Sequence, residues 1–236
     1  MNKMLNNFIQ CLYPKKKRCL LCGHQDSRYL CSLCASSIEF IHERKCFKCG
    51  KGLSDRYIDN ICPDCKEKSY SFDSAYSCFY YTGSGKELIH KLKYESKKEA
   101  AKILAKYMAR VIYEENLKSD AIVPVPIHEN KLDIRGFNQS YIIAEYLSRY
   151  ISLPIWDCLL RVRDTRDQYN LGKYERKINV IDAFSVNMLY NVRNRTILLI
   201  DDVFTTGSTV DECSKELIRC GAKKIYVVTA AAGVNT

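Results

Sequence analysis

Residues 196–209 read Thr-Ile-Leu-Leu-Ile-Asp-Asp-Val-Phe-Thr-Thr-Gly-Ser-Thr. Ile197, Leu198, Leu199 and Ile200 make the strongest apolar run in the chain, and an uninterrupted run suits a strand buried on both faces of a parallel sheet. Two carboxylates, Asp201 and Asp202, end it. A loop of small hydroxyl residues then leads into helical spacing over Thr209–Cys220, with Gly221 as the helix stop. A helix N-terminus offers free backbone N–H groups and a positive dipole end to an anion. Thr205, Thr206, Ser208 and Thr209 add hydroxyl donors, and Gly207 lets the backbone close around a phosphate. The adjacent acids would repel that phosphate, so they address another part of the ligand. Paired sugar hydroxyls suit them, with Mg²⁺ moderating the charge.

Outward from this stretch, the chain alternates strand and helix patterns as an α/β domain does. Tyr76–Tyr81 reads as a strand and Gly83–Gly85 as a turn. Apolar residues from Leu88 to Ile112 recur at helical spacing, broken by the polar stretch Glu95–Glu99, which predicts two helices. Ala121–Val125 suits a buried strand running into a loop, Phe137–Ile151 a helix, and Ile155–Leu160 another short strand. A polar segment over Arg161–Asn179 follows, and Ile225–Ala230 is a final strand after the helix. The expected architecture is a parallel sheet flanked by helices, preceded by a small Cys-rich unit. The boundary is placed near Ser69–Asp73, giving residues 1–70 and 71–236.

The first 70 residues differ in kind. Eight of the 13 cysteines form four Cys-x-x-Cys pairs: Cys19/Cys22, Cys31/Cys34, Cys46/Cys49 and Cys62/Cys65. A Cys-x-x-Cys turn supplies two thiolates to a tetrahedral zinc from one tight loop, and Gly23 and Gly50 follow two of the pairs, where they ease the backbone. Two four-cysteine zinc sites are expected, with sequential pairing (first with second, third with fourth) favoured over an interleaved one. With few apolar residues nearby, metal binding would supply much of the folding free energy. Cys11, Cys78, Cys158, Cys213 and Cys220 lack partners at useful spacing and read as packed or free thiols.

Composition bounds the rest. In 236 residues, 47% are hydrophobic and 27% charged, which excludes a disordered chain. No stretch approaches the ~20 apolar residues of a membrane span, and the N-terminal apolar patch (Phe8, Ile9, Leu12, Tyr13) is too short and too interrupted for a secretory signal. A cytoplasmic protein is expected, where cysteines bind metal rather than form disulfides. The formal charge is +10, falling to about +6 if two zinc ions are each held by four thiolates, a site of net charge −2. An anionic partner is plausible on that basis.

The strand–Asp-Asp–Thr-Thr-Gly-x-Thr–helix pattern resembles the 5-phosphoribosyl-1-pyrophosphate (PRPP) motif of type I phosphoribosyltransferases. That resemblance implies that Asp201 and Asp202 are the catalytic acids, holding the ribose 2′- and 3′-hydroxyls, while Thr205, Thr206, Gly207, Ser208 and Thr209 cradle the 5-phosphate. Val123-Pro124-Val125-Pro126-Ile127-His128 stands where such enzymes place a pyrophosphate loop, so Pro126, Lys131 and Arg135 are assigned to the diphosphate. Arg161–Asn179 stands where they carry a mobile hood, with Arg163, Arg166, Gln168 and Arg176 as closing candidates.

Further segments extend the likeness over residues ~10–232. They are the Cys-x-x-Cys pairs, Leu92-Lys93-Tyr94, Arg135-Gly136-Phe137-Asn138-Gln139 after Pro124-Val125-Pro126, Gln168-x-x-Leu171, and Arg176-x-x-Asn179-Val180. Together they resemble the ComF family of competence-associated, phosphoribosyltransferase-like proteins. The resemblance implies binding of PRPP with Mg²⁺, and handling of incoming single-stranded DNA during natural transformation. It also implies a helicase-like competence ATPase as partner, at the inner face of the membrane. Compatible with this, the ribbons carry Lys15, Lys16, Lys17, Arg18, Arg28, Arg44, Lys45, Lys48 and Lys51 interleaved with Tyr13, Tyr29, Phe40 and Phe47. Two other readings stay open: a true transferase moving phosphoribosyl to a nucleobase or amine, and an adaptor whose metal module does the binding above a vestigial phosphate site.

Overall fold

A computed structural model describes residues 17–42, 44–54, 58–163, 175 and 180–234. Cys11, Tyr13, Lys15, Lys16, Arg166, Gln168, Leu171, Arg176 and Asn179, singled out above, lie outside the described residues.

The centre is a four-stranded parallel sheet. Its strands are β3 (Ser74–Tyr80), β4 (Ala121–Pro124), β7 (Thr196–Phe204) and β8 (Lys224–Ala232), in the order β3-β8-β7-β4. The smaller strands are β1 (Lys17–Arg18), β2 (Gln25–Asp26), β5 (Leu159–Arg161) and β6 (Phe184–Val186). The helices, in chain order, are α1 (Ser32–Ser36), α2 (Pro63–Glu67), α3 (Gly83–Glu95), α4 (Lys98–Glu114), α5 (Glu129–Arg135), α6 (Gln139–Ile151) and α7 (Ser208–Arg219). Ile197 to Ile200 are wholly buried between the two faces, as their composition requires. Each such side chain contributes ~1.5–3 kcal/mol of hydrophobic stabilisation. Leu198 and Ile200 join a core with α3, α4 and α6, while Ile197 and Leu199 join a second core with Val210 and Leu217 of α7.

Four expectations need correction. Gly83–Gly85 is the first turn of α3 rather than a free turn. Gly85 is small because a Cβ there would lie 2.6 Å from the Phe79 ring. The helix expected from Phe137 starts at Gln139, because Gly136 ends α5 in the left-handed conformation and Asn138 caps α6. Ile155–Leu160 is not one strand: Ile155 makes a single parallel bridge to Ile122, and the chain then leaves the sheet to pair β5 with β6. Finally, β7 runs on past Ile200 through Asp201 and Asp202 to Phe204, since Asp201, Val203 and Phe204 remain in register with Thr229, Ala231 and Ala232 of β8.

Both outer strands of the sheet are covered, which removes exposed edges that would template aggregation. Along β4, the Ile122 N–H donates to the Pro154 carbonyl and the Trp156 N–H to the Ile122 carbonyl. Along β3, the cysteine-rich segment does the same. The Ile41 N–H donates to Cys78 O, the Tyr80 N–H to Glu39 O and the Ala75 N–H to Lys48 O. The ribbons are therefore docked on the sheet edge by main-chain hydrogen bonds.

Candidate functional site

The cysteines assemble into two clusters, Cys19/Cys22/Cys31/Cys34 and Cys46/Cys49/Cys62/Cys65, each with its sulfurs within 4.8 Å of one another. Pairing is sequential. The two are built alike. In each, the first pair forms a knuckle closed by a glycine N–H: Gly23 to Cys19 O at 3.0 Å and Gly50 to Cys46 O at 2.9 Å. The second pair opens a short helix, α1 or α2, with Cys31 or Cys62 at the N-cap. Backbone N–H groups point at the sulfurs, from Cys31 to Cys19 Sγ at 3.5 Å and from Cys62 to Cys46 Sγ at 3.3 Å. The Cys22–Cys31 and Cys49–Cys62 sulfurs are 3.6 Å apart, close to the ~3.8 Å edge of a tetrahedron of thiolates ~2.3 Å from zinc. Both donor sets fit a structural zinc ion.

The second constellation surrounds a cleft of about 560 Å³ at the C-terminal ends of the strands. Every residue assigned from the sequence to the ribose, phosphate or diphosphate lines it: Asp201, Asp202, Thr205, Thr206, Gly207, Ser208, Thr209, Pro126, Lys131 and Arg135. Gly207 has φ +74°, the conformation that favours glycine, and caps α7. A Cβ there would lie 2.6 Å from Phe204 Cζ. The Thr206 and Ser208 hydroxyls are 2.9 Å apart inside the loop.

Strand alternation sends the two acids to different neighbours. Asp201 accepts from the Ser140 hydroxyl at 2.9 Å and from the Asp202 N–H at 2.9 Å. Asp202 forms an ion pair with Lys93 of α3. Burial, and then the charge of Asp202, push the Asp201 carboxyl up to about 7, against the opposing pull of Lys93. Burial alone would lower the Lys93 ammonium, but the two carboxylates outweigh it and raise it.

The Arg135–Ser140 segment has a mechanical role as well. Asn138 accepts from the Ser140 N–H at 3.0 Å and donates through Nδ2 to the Val125 carbonyl at 3.0 Å, tying α6 to the loop that carries Pro126. The Arg135 guanidinium donates to Gln139 Oε1 and lies 5.6 Å above the Tyr94 ring.

A double zinc ribbon domain model matches residues 8–66, and a phosphoribosyl transferase domain model matches residues 91–235. Competence protein F of Haemophilus influenzae is 30% identical over 220 residues, covering 89% of this chain and 94% of that protein. The chain belongs to the ComF/YhgH family. DNA utilization protein YhgH of Escherichia coli K12 is 30% identical over 205 residues, with 84% and 88% covered. Competence protein ComFC of Streptococcus pneumoniae is 27% identical over 225 residues, with 88% and 96% covered.

Within this ComF/YhgH chain, sequence reasoning overlooked several residues that line the cleft. Lys93 drew notice only within Leu92-Lys93-Tyr94, and Tyr81, Gln139 and Arg161 not as site residues at all. Ser140 carried no signal, because one serine at the start of a helix looks like any other. Arg163, a hood candidate, donates to the Ile181 carbonyl, and Arg161 lines the cleft. The basic ribbon face is also smaller than its composition suggests. Lys45 pairs with Glu115, Lys48 donates to the Phe72 and Asp73 carbonyls, and Lys51 is buried against Asp64. Phe40 packs edge-on to Phe79 and Tyr107, leaving Tyr29 and the exposed Phe47 as described aromatic rings of that face. No described helix is long and apolar enough to cross a membrane.

Proposed function

We propose that this chain binds Mg²⁺-PRPP in the cleft and single-stranded DNA on its ribbons, and serves DNA uptake on the cytoplasmic side of the membrane beside a helicase-like ATPase. The observation that carries the PRPP reading is the shared cleft. A buried carboxylate pair and a hydroxyl-lined, glycine-closed helix N-terminus are presented side by side at the end of one strand. Asp201 and Asp202 accept hydrogen bonds from the ribose diol, and residues 205–209 hold the 5-phosphate. Lys131 and Arg135 face the diphosphate, with Mg²⁺ arriving as part of the substrate. For the ribbons, the support is charge and stacking area. The Lys17 ammonium lies 4.8 Å from the centre of the Tyr29 ring, and Arg18 follows it on β1.

A second reading, phosphoribosyl transfer to a nucleobase or amine, draws support from Asp201. A carboxyl held near neutrality is suited to accept a proton from an incoming nucleophile. Its ribosyl centre would develop positive charge as pyrophosphate leaves, so positioning and charge stabilisation would dominate the chemistry.

Phosphorus NMR of Mg²⁺-PRPP with the zinc-loaded protein, with and without single-stranded DNA, separates the readings. Broadening without new resonances means binding alone. Pyrophosphate released faster than in an Asp201→Asn/Asp202→Asn control means an enzyme. If neither effect is seen, PRPP falls out of the function, the phosphate loop is a relic, and the function moves to the ribbons.

A further inference from the structure

The two ribbons are not equivalent in what they touch. Cys19, Leu30, Cys31 and Ile38 of the first ribbon join the core formed by Phe79, Leu88 and the α4 side chains. Cys46, Cys49, Leu53 and Cys62 of the second join the other core, with Phe72, Phe204 and Val210. Phe204 and Val210 bracket the phosphate loop. The chain leaving the second cluster then runs directly behind that loop. Five residues after Cys65, the Tyr70 hydroxyl donates to the Thr206 carbonyl at 3.0 Å. Its ring approaches so closely that a Cβ on Gly207 would lie 3.0 Å from Tyr70 Cε1. Tyr70 stacks on Phe72 with ring centres 4.9 Å apart and meets Phe204 edge-on at 6.4 Å. One residue on, the Ser71 N–H donates to Asp211 Oδ1 in the first turn of α7 at 2.7 Å. Two consecutive residues of the ribbon's exit segment thus hold the loop and the helix that follows it.

We infer that Tyr70 is a positioning residue through which the second zinc ribbon sets the phosphate loop, so that the loop is formed only when the second cluster, not the first, holds its metal. For ligand binding this rests on the reading that residues 205–209 take the 5-phosphate. The bond from Tyr70 fixes the Thr206 carbonyl and with it the peptide plane that leads into Gly207. Without metal, the Cys62–Cys65 turn loses its anchor and the exit segment is no longer held in place. The first ribbon, docked elsewhere on the β3 edge, has no such path among the described residues.

The test uses the full chain, with both zinc sites filled in the wild type and the Tyr70 variants and one site lost in each cysteine variant. Amide hydrogen exchange at residues 206–210 in the ligand-free protein is expected to quicken in Tyr70→Ala, and less in Tyr70→Phe, which keeps the ring. It should quicken likewise in Cys46→Ser/Cys49→Ser, and not in Cys19→Ser/Cys22→Ser, with protection in β7 and β8 unchanged throughout. Ribose 5-phosphate affinity is expected to fall on the order of tenfold in Tyr70→Ala, while pyrophosphate affinity stays at the wild-type value. Unchanged exchange at 206–210 in Tyr70→Ala, or equal quickening from loss of either cluster, overturns the inference. If wild type binds no ribose 5-phosphate while exchange at 206–210 responds as described, the positioning role stands and the PRPP reading falls.

Discussion

Lys93 Nζ and Asp202 Oδ2 form an ion pair inside the cleft, with only 18% and 5% of the two side chains exposed. The pair joins the end of α3 to the end of β7 and neutralises one of two adjacent buried carboxylates. Removing one member of such a pair leaves an uncompensated charge and costs ~3–5 kcal/mol. Lys93→Met is therefore expected to lower the denaturation midpoint strongly at pH 8 and much less at pH 4, where Asp201 is protonated and adds no second charge. Because Lys93 holds Asp201 down, the pH below which Mg²⁺-PRPP binding weakens should also rise. Lys93→Arg, which keeps the charge, should restore that profile. Calorimetric titration across pH checks both.

Asp201 should make the wild type less stable as pH rises. Its folded carboxyl sits at about 7, above the ~3.9 of an unfolded aspartate. The folded state holds its proton more tightly, so the contribution is full below pH ~4 and is lost as pH climbs toward 7. Asp201→Asn carries no such proton and can still accept from Ser140 and from the Asp202 N–H. Its melting temperature should exceed wild type by several degrees at pH 8 and converge with it near pH 4, while Mg²⁺-PRPP binding is lost at both.

Asn138→Ala removes a helix cap and leaves the buried Val125 carbonyl without its donor. A combined loss of about 2–4 kcal/mol is expected. Asn138→Asp keeps the cap but sets an oxygen against the Val125 carbonyl, so it should recover only part of that stability. Urea titration of the three proteins measures the partition.

The two knuckle glycines should respond unequally. Gly23 and Gly50 have φ of +73° and +68°, so alanine at either costs ~1–2 kcal/mol in backbone strain. At Gly23 nothing lies within 4 Å of the new Cβ, whereas at Gly50 it would sit 2.3 Å from the Ala75 carbonyl oxygen. Gly50→Ala should push the second ribbon off β3 and weaken zinc retention, while Gly23→Ala retains two zinc ions per chain in a chelator competition.

For DNA, Lys17→Ala/Arg18→Ala should reduce the salt slope of single-strand binding by about 1.4, or ~0.7 for each phosphate no longer neutralised. Lys45→Ala/Lys48→Ala should leave the slope unchanged, since both charges are engaged within the protein. A slope indifferent to Lys17 and Arg18 would move the DNA surface elsewhere.

Local chemistry made part of this molecule readable in one dimension. Ile197–Ile200 has to be buried whatever surrounds it, a glycine has to end the phosphate loop, and Cys-x-x-Cys spacing sets a two-thiolate turn within four residues. The four strands of the central sheet and the two long helices on either side of Glu95–Glu99 follow from such short-range rules, whereas the sequential pairing of the cysteine turns, only favoured from spacing, was decided by the fold. What escaped depends on partners far away in sequence. Lys93 meets Asp202 across 109 positions, Ser140 meets Asp201 across 61, and Tyr70 meets Thr206 across 136. The same holds for Lys45 and Lys48, which composition counts as free surface charge and the fold ties to Glu115 and to the Phe72 and Asp73 carbonyls. The amino-acid sequence by itself determined which chemistry the chain carries, because metal knuckles and phosphate loops are built from neighbours. Only the tertiary structure decided which cation neutralises the carboxylates and which ribbon supports the loop. A single lysine, serine or tyrosine has no pattern of its own until burial leaves it one partner.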